Sequence, residues 1–330
     1  MARQVRWGIF GTGMIAAEFA RALAESSEAE LVAVASRSLS RAEQFTSEMP
    51  SAVPVGSYAA LASMDLDVVY IATPQHRHRD DALLALDHGL HVVVEKPAAL
   101  SISEVEDMIK ARERASRIAI EAMWTYFNPL VERLVTIARS GALGALRSLH
   151  ANSGPIGIPS NHRALAADLG GSYLWECLVY PLSVLTALAP HMQRPDDQHI
   201  ASLRTPGGVD FAAAVTLRGG ATIAQFGGGF ALDTSGAAQS RMQLIFEHGW
   251  VELSEIYNPV ELTIGWDGGR VERFEAPAQS VGFGYEIAAV NAAIRGEKEL
   301  PSYAMLEHTL GNTALLEQLG SGGGRLSGSS

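Results

Sequence analysis

Apolar residues fall along the chain in two successive rhythms. From Val5 to Glu121, short apolar runs of strand length are separated by stretches in which apolar positions recur every three or four residues. The runs are Val5–Phe10, Leu31–Ala35, Asp67–Ala72, His91–Val94 and Arg117–Glu121. After the first run, Met14, Ile15, Phe19, Ala20 and Leu23 have helical spacing; later, Leu83, Leu84 and Leu86 make an apolar face that stops at Gly89. Continuous apolar strands alternating with helices predict a doubly wound parallel sheet of the Rossmann kind, covered on both faces. Ser103-Glu104-Val105-Glu106 has the form of a capping box at the start of one such helix.

After Glu121 the rhythm changes. A helical stretch, Pro129–Ala138, stops at Ser140-Gly141, and a strand from Arg147 to Ala151 leads into a Gly/Pro-rich loop, Gly154–Pro159. Alternating runs then come in pairs joined by glycine turns: Phe211–Leu217 with Thr222–Phe226, Arg241–Phe246 with Trp250–Leu253, and Glu261–Gly265 with Arg270–Phe274. Such pairs are hairpin signals, so an α+β domain with a large, mainly antiparallel open sheet is expected here. Helices at Tyr285–Arg295 and Ala304–Leu319 close the pattern. The expected division is a Rossmann domain over residues 1–121, an α+β domain over 122–320, and a flexible Gly/Ser-rich tail over 321–330.

Composition narrows the function. A chain of 330 residues exceeds what one core usually serves, which agrees with two domains. A formal net charge of -11 argues against nucleic acid and against anionic membranes as partners. Cys177 is the single cysteine, which excludes an intramolecular disulfide and a cysteine-based metal site. The first run begins within a few residues of Met1 with no signal-like apolar stretch, and no uncharged run reaches spanning length. Cytoplasmic location is the expectation.

The candidate chemistry sits at the ends of the first-half strands. Val5–Phe10 runs into Gly11-Thr12-Gly13-Met14-Ile15-Ala16, a G-x-G-x-x-A turn opening a helix. The first glycine allows the tight turn, the second lets backbone approach a pyrophosphate, and Ala16 permits close helix packing. The helix N-terminus then offers N–H groups to phosphate. At the end of the second strand, where an NAD site usually places an acid, stand Ser36-Arg37-Ser38, with Arg41 one turn on. A guanidinium and two hydroxyls suit a 2′-phosphate, so NADP is favoured and NAD is the second candidate; an arginine on a surface loop is the plain alternative. His91-Val92-Val93-Val94 ends in Glu95-Lys96-Pro97. Lys96 is there either a ligand-facing cation or a solvated lysine at a strand stop. His76 and His78 lack companions at metal-ligand spacing, so no metal is expected. In Gly170–Pro181, helical geometry would put Glu176 and Tyr180 on one face, with Pro181 kinking the helix by removing a hydrogen bond to Cys177. Tyr180 is then a proton donor or a core tyrosine bonded to an acid.

Taken together, these motifs resemble the glucose–fructose oxidoreductase/inositol dehydrogenase (Gfo/Idh/MocA) family over nearly the whole chain. The matching residues are Gly11–Ala16, Ala72-Thr73-Pro74 with His78, Glu95-Lys96-Pro97, Glu121-Ala122-Met123-Trp124-Thr125, Gly170-Gly171 through Tyr180-Pro181, and Gly282-Phe283-Gly284-Tyr285-Glu286. The Trp124 block and Val179-Tyr180-Pro181 are most similar to the branch of dimeric dihydrodiol dehydrogenases, NADP-dependent xylose dehydrogenases and sugar 3-ketoreductases. The resemblance implies an NADP-dependent oxidoreductase acting on a sugar, a sugar derivative or a cyclic diol, with the second domain binding substrate and its sheet forming a homodimer or higher homo-oligomer. It places Thr73, Pro74, His78, Glu95 and Lys96 at the cofactor together with Gly11, Thr12, Gly13, Met14, Ile15, Ser36, Arg37, Ser38 and Arg41. Lys96 would also assist Tyr180 as general acid/base; the phenol titrates near ~10 unperturbed, so an adjacent ammonium stabilises its anion. Trp124, Tyr126 and Glu176 are the expected substrate contacts, together with Asn161, His162 and Arg163 in the loop before the Glu176 helix, for which a solvated loop is the alternative.

The chain also departs from that pattern. Glu176 stands where the family usually has Asp, Leu178 where a small residue is usual, and Tyr126 where the branch often has Arg. A shifted substrate would account for these changes. So would a nucleotide-binding regulatory or structural homologue with weak or no turnover, which is the alternative reading.

Overall fold

The apolar runs of the first half form strands whose both faces are covered. The computed structural model describes residues 3–49, 51–154, 156–234, 240–277 and 282–322. In chain order, β1 (Val5–Phe10), α1 (Met14–Glu25), β2 (Ala29–Ala35), α2 (Leu39–Thr46), β3 (Val53–Val55), α3 (Tyr58–Ala62), β4 (Val68–Ile71), α4 (His78–Asp87), β5 (His91–Glu95), α5 (Ile102–Ala115) and β6 (Ala119–Ala122) alternate almost without interruption. The strands join in the order β3-β2-β1-β4-β5-β6 with every pairing parallel. Ile9, Val34, Val69, Tyr70 and Val93 have no exposed surface, as strands sandwiched between helices require. The order reverses between β1 and β4, the place where such sheets open a crevice at their carboxyl ends.

Two local expectations are corrected. The capping box of α5 is Ser101 with Glu104, not Ser103 with Glu106: Ser101 Oγ accepts from the Glu104 N–H, and Glu104 Oε2 accepts from the Leu100 N–H. The glutamate at the third helical position selects the cap, and that leaves Ser103 inside the first turn. The second correction is β3, a three-residue edge strand absent from the apolar pattern; its central Pro54 is tolerated because only one side is paired.

The second half supplies α6 (Pro129–Arg139), β7 (Leu146–Asn152), β8 (Ile156–Ile158), α7 (Val179–Leu188), β9 (Asp197–Arg204), β10 (Asp210–Gly219), β11 (Thr222–Leu232), β12 (Arg241–Phe246), β13 (Gly249–Leu253), β14 (Glu261–Trp266) and β15 (Val271–Glu275), followed by α8 (Phe283–Ile294) and α9 (Leu306–Gly322). The large sheet runs β15-β14-β13-β12-β7-β11-β10-β9, with β8 added beside β11. The three predicted hairpins are all present and antiparallel. The sheet is mixed, because β7 and β8 lie parallel to β11. β8 occupies part of the stretch expected as loop. Strict alternation divides the two faces of the sheet: in β12, Met242, Leu244 and Phe246 are buried while Arg241, Gln243 and Ile245 are exposed.

The chain divides into two compact units, Met1–Trp124 with Gln279–Leu310, and Thr125–Ala278 with Gly311–Ser330. The segment carrying α8 therefore belongs with the first unit, whereas the sequence placed it in the second domain. Its buried face, Phe283, Glu286, Ile287, Val290 and Asn291, follows helical periodicity. Phe283 meets Phe19, Tyr70 and Trp124 edge-on at 5.3, 6.2 and 4.7 Å, and Trp7 Nε1 donates to Asn291 Oδ1 at 3.0 Å. Of the expected tail, Ser321 and Gly322 complete α9; the remainder lies outside the described residues.

Candidate active site

In the first unit the chemistry gathers at one edge, because parallel strands end on the same side. Gly11 follows β1 at φ +112°, and a Cβ there would lie 2.5 Å from the Ala72 carbonyl oxygen. Only glycine satisfies both conditions. Gly13, the residue before α1, is exposed, has open space around its Cβ position, and gives α1 no side-chain cap. The first backbone N–H groups of a twelve-residue helix thus begin beside the open space at Gly13, which fits a pyrophosphate. Met14 is 76% exposed, while Thr12 and Ile15 are half-buried.

At the end of β2, Ser36 is buried, and its Oγ accepts from the Ser38 N–H at 3.4 Å. Ser38 Oγ meets Ser40 Oγ at 2.8 Å. Arg37 and Arg41 are exposed beside this turn. The Tyr58 ring stacks on Phe10 at 4.9 Å, with the Arg77 guanidinium 5.9 Å above it. Burial raises the Tyr58 phenol above its ordinary pKa, with Asp81 adding to the rise and the Arg37 charge opposing it. Arg37 thus lies within electrostatic reach of Tyr58 at the β2 end.

At the ends of β4 and β5 the side chains hold loops. Thr73 Oγ1 donates to Asp81 Oδ2 at 2.7 Å, and Asp81 also pairs with Arg77 at 2.5 Å. His78 is 1% exposed; its Nε2 meets the Thr73 carbonyl at 2.8 Å and its Nδ1 the Pro97 carbonyl at 2.9 Å. His78 therefore ties the two loops together, while Pro74 is exposed between them. Glu95 is buried, accepts from the Tyr70 hydroxyl, and accepts from the Lys96 N–H at 3.1 Å. The Lys96–Pro97 bond is cis, and Lys96 itself is half-buried. Glu121 accepts from the Ala98 N–H at 2.9 Å and from Thr309 Oγ1 at 3.3 Å. Burial raises its pKa, and the Lys96 charge works in the opposite direction. Trp124 is half-buried, its ring edge-on to Phe283.

The second unit carries the rest. The stretch Leu174–Leu178 is a π-turn, not α-helix, and runs directly into α7. Val179 N–H reaches back five residues to Leu174 O. Pro181, lacking an N–H, cannot close an α-turn onto Cys177, and the expected disturbance appears as this widened turn. Glu176 and Tyr180 therefore lie on either side of a change in helical pitch. Glu176 pairs with Arg163 through both oxygens, at 2.9 and 3.4 Å; Arg163 is half exposed and Glu176 nearly buried. Asn161 is exposed in the preceding turn, and His162 Nδ1 accepts from the Ala164 N–H.

Tyr180 is 4% exposed, with Tyr257 edge-on at 4.8 Å. Tyr257 donates to the Ser153 carbonyl at 3.1 Å, and its own carbonyl accepts from Thr125 Oγ1 at 2.6 Å. Tyr126 is 1% exposed, and its hydroxyl accepts from Asn312 Nδ2 at 3.3 Å. Asn312 Oδ1 in turn accepts from Thr186, so Tyr126 is built into the core of the second unit, away from solvent. The sequence reading gave no role to Tyr70, Asp81, Tyr257 or Glu286. Tyr70 and Tyr257 sit among apolar or loop residues and carried no signal; Glu286 stood in a motif without an assignment.

Among the described residues no cluster of three or more His, Cys, Asp or Glu could hold a metal ion, and no helix is long and apolar enough to cross a membrane. Residues 5–122 match the oxidoreductase family with NAD-binding Rossmann fold, Gfo/Idh/MocA. The trans-1,2-dihydrobenzene-1,2-diol dehydrogenase of Bos taurus is 30% identical over 319 residues, covering 93% of each chain; the Homo sapiens protein of the same name is 29% identical over 321 residues, again covering 93% of each. A 3-ketoreductase from Actinomadura kijaniata, crystallised with NADP and TDP-benzene, superposes with a TM-score of 0.81 at 23% identity, covering 97% of this chain and 98% of that one. An aldose–aldose oxidoreductase from Caulobacter crescentus, complexed with glycerol, gives 0.80 at 19% identity over 96% of both chains.

Proposed function

We propose, from the premise that this chain belongs to the Gfo/Idh/MocA family of oxidoreductases and is an NAD(P)-dependent dehydrogenase or reductase of CH–OH groups, that it uses NADP and acts on a sugar, a sugar derivative or a cyclic diol. The observation that carries this reading is the convergence at one sheet edge of the Gly11–Gly13 turn, the Ser36–Arg37 turn, the Thr73–Pro74 loop and Lys96. NADP is favoured over NAD because the β2 end offers Arg37, Arg41 and hydroxyls, and an acid there would repel a 2′-phosphate. The diol named in the mammalian relatives and the aldose named in one structural neighbour both carry adjacent hydroxyl or carbonyl carbons, which supports the substrate class.

The bound dinucleotide would accept or supply the hydride. Tyr180 would take the hydroxyl proton in oxidation and return it in reduction, as a positioned acid/base. Lys96, as an ammonium, would stabilise negative charge developing on the substrate oxygen. The Arg163–Glu176 pair, of which Arg163 is half exposed, and Trp124 are assigned to substrate contact, and Asn161 to the same loop; Tyr126, being buried, is assigned a supporting part. His78 and Glu95 are assigned to holding the loops that carry Thr73 and Lys96. The exposed face of the large sheet, bearing Ile223, Ile245 and Trp250 at 44, 45 and 41% exposure, is assigned to self-association.

Nicotinamide absorbance against a panel of aldoses, cyclitols and vicinal diols, with NADP and NAD in parallel, tests the reading. Turnover with NADP on at least one polyol supports it. Tight dinucleotide binding with no turnover across the panel would favour the regulatory alternative.

A further inference from the structure

Three carboxyls are buried together in the first unit, and only two of them have donors. Glu95, on β5, accepts from Tyr70 and from the Lys96 N–H; Glu121, on β6, accepts from the Ala98 N–H and from Thr309. Glu286, in the first turn of α8, has no exposed surface, and neither carboxyl oxygen has a hydrogen-bond partner among the described residues. One turn before it, Phe283 joins the cluster of Phe19, Tyr70 and Trp124, which keeps water from this end of the helix. Glu95 and Glu121 both act on Glu286 electrostatically and, with burial as the larger cause, raise its pKa well above the ordinary carboxylate value. The α8 dipole favours an anion at this end, but burying a charge without a donor costs more. Glu286, fully buried and without a donor, is the carboxyl of the three for which ionisation is least compensated, and it is the one that keeps its proton.

We propose that Glu286 carries a proton at neutral pH and donates it in a hydrogen bond to Glu95, so that α8 acts through Glu95 to position the backbone of Lys96. Glu95 then has a donor from β4, one from its own loop and one from α8, and the residue after it is held from three sides. Glu286 is a positioning residue, since it touches neither substrate nor cofactor in this scheme. The charged groups that act on it are Glu95 at the end of β5 and Glu121 on β6; Tyr70 of β4, which donates to Glu95, meets Phe283 one turn before it. The kinetic part of the inference rests on the role assigned to Lys96 above; the location of the proton does not.

Infrared spectroscopy of the full chain at neutral pH, comparing wild type with Glu286→Gln, locates the proton without turnover. The expected result is a protonated-carboxyl stretching band in the wild type, shifted in deuterium oxide and absent from Glu286→Gln. No such band, or one unchanged in the variant, overturns the proposal. Thermal melting provides a second readout. The folded-state pKa is raised, so the contribution of Glu286 to stability is fully present at acid pH and is lost as pH rises; wild type should weaken toward alkaline pH more steeply than Glu286→Gln. Equal slopes contradict the assignment.

Kinetically, the amide of Glu286→Gln can still donate to Glu95, so its kcat should stay within about threefold of wild type, whereas Glu286→Leu should lose about tenfold or more in kcat with little change in KM for the dinucleotide. A folded Glu286→Leu with wild-type kcat, or a Gln variant as impaired as the Leu one, sinks the positioning role. If the band behaves as expected while Lys96→Met stays active, the proton assignment stands and the role of Lys96 fails.

Discussion

Arg37 is the side chain proposed to select between two nearly identical cofactors. It is exposed at the end of β2, next to the buried Ser36 and within electrostatic reach of Tyr58. A charge-assisted contact to a 2′-phosphate strengthens NADP binding and leaves NAD untouched. Replacing Arg37 by Ala should therefore weaken NADP by about 10- to 100-fold, as expected for a hydrogen-bonded charge, with NAD affinity changed much less. Calorimetry with both dinucleotides checks this, and equal losses would contradict the contact. The same turn was legible in the sequence, because the absence of an acid there is a local property. The surroundings of Glu286 and Tyr257 were not legible: each is packed by residues from distant segments, and no spacing in the chain records that.

His91, at the start of β5, makes a different kind of link. Its Nδ1 accepts from the Ile118 N–H at 2.9 Å, joining β5 to the residue just before β6. Only a neutral imidazole can accept there. Burial, with the Arg117 charge adding to it, lowers its pKa from 6.5 to about 4. A base with a depressed folded-state pKa contributes stability that is present above pH 6.5 and is lost as pH falls toward about 4. The melting temperature should fall over that window, and His91→Asn, which keeps an acceptor but does not titrate, should flatten the fall. A variant with the wild-type acid slope would show that other groups dominate.

Elements with strong periodicity were read correctly from the sequence: the five apolar runs became β1, β2, β4, β5 and β6, and the three glycine-linked pairs became hairpins. The misses share a cause. β3 and β8 are three residues each, too short to show a period, and each exists because a neighbouring strand offers an unpaired edge. The π-turn at Leu174–Leu178 was foreseen only as a kink, since Pro181 reveals that an α-turn fails but not how the backbone compensates.

Within the whole molecule, the large sheet has one face buried and one open. On the open face Ile245 lies opposite both Ser148 and Trp250, and Ile223 lies opposite Ser148 on the other side, so three large apolar side chains stand in one band across four strands. The Trp250 ring covers Gly265 of β14, where a side chain would collide with it. Beside this band, His150, Asn152, Gln225, Arg241 and Gln243 line a shallow depression of about 450 Å³. Apolar area of this kind is usually covered. Sedimentation is expected to give a particle of at least twice the 35.1 kDa chain mass, and Ile245→Glu should shift it toward the monomer. A monomeric wild type would leave the face without the assigned role.

The α8 segment also belongs to this level of organisation. It lies far along the chain from the Rossmann strands, yet its aromatic and acidic residues complete the first unit. The division inferred from rhythm alone, at residue 121, captured the change from parallel to mixed sheet and missed this return. Nothing in the spacing of α8 says which sheet its buried face will meet.

Lys96 and Tyr180 are the proposed catalytic groups of an NADP-dependent CH–OH oxidoreductase. The most direct test of these roles is steady-state kcat, read by nicotinamide absorbance on a polyol that the wild type turns over, for Lys96→Met and Tyr180→Phe. Losses of about 10²- to 10⁴-fold are expected for the tyrosine, as for removal of a general acid/base, and about 10²- to 10³-fold for the lysine, with NADP still bound by Tyr180→Phe. Wild-type turnover in either folded variant would remove that residue from the chemistry and contradict the assignment.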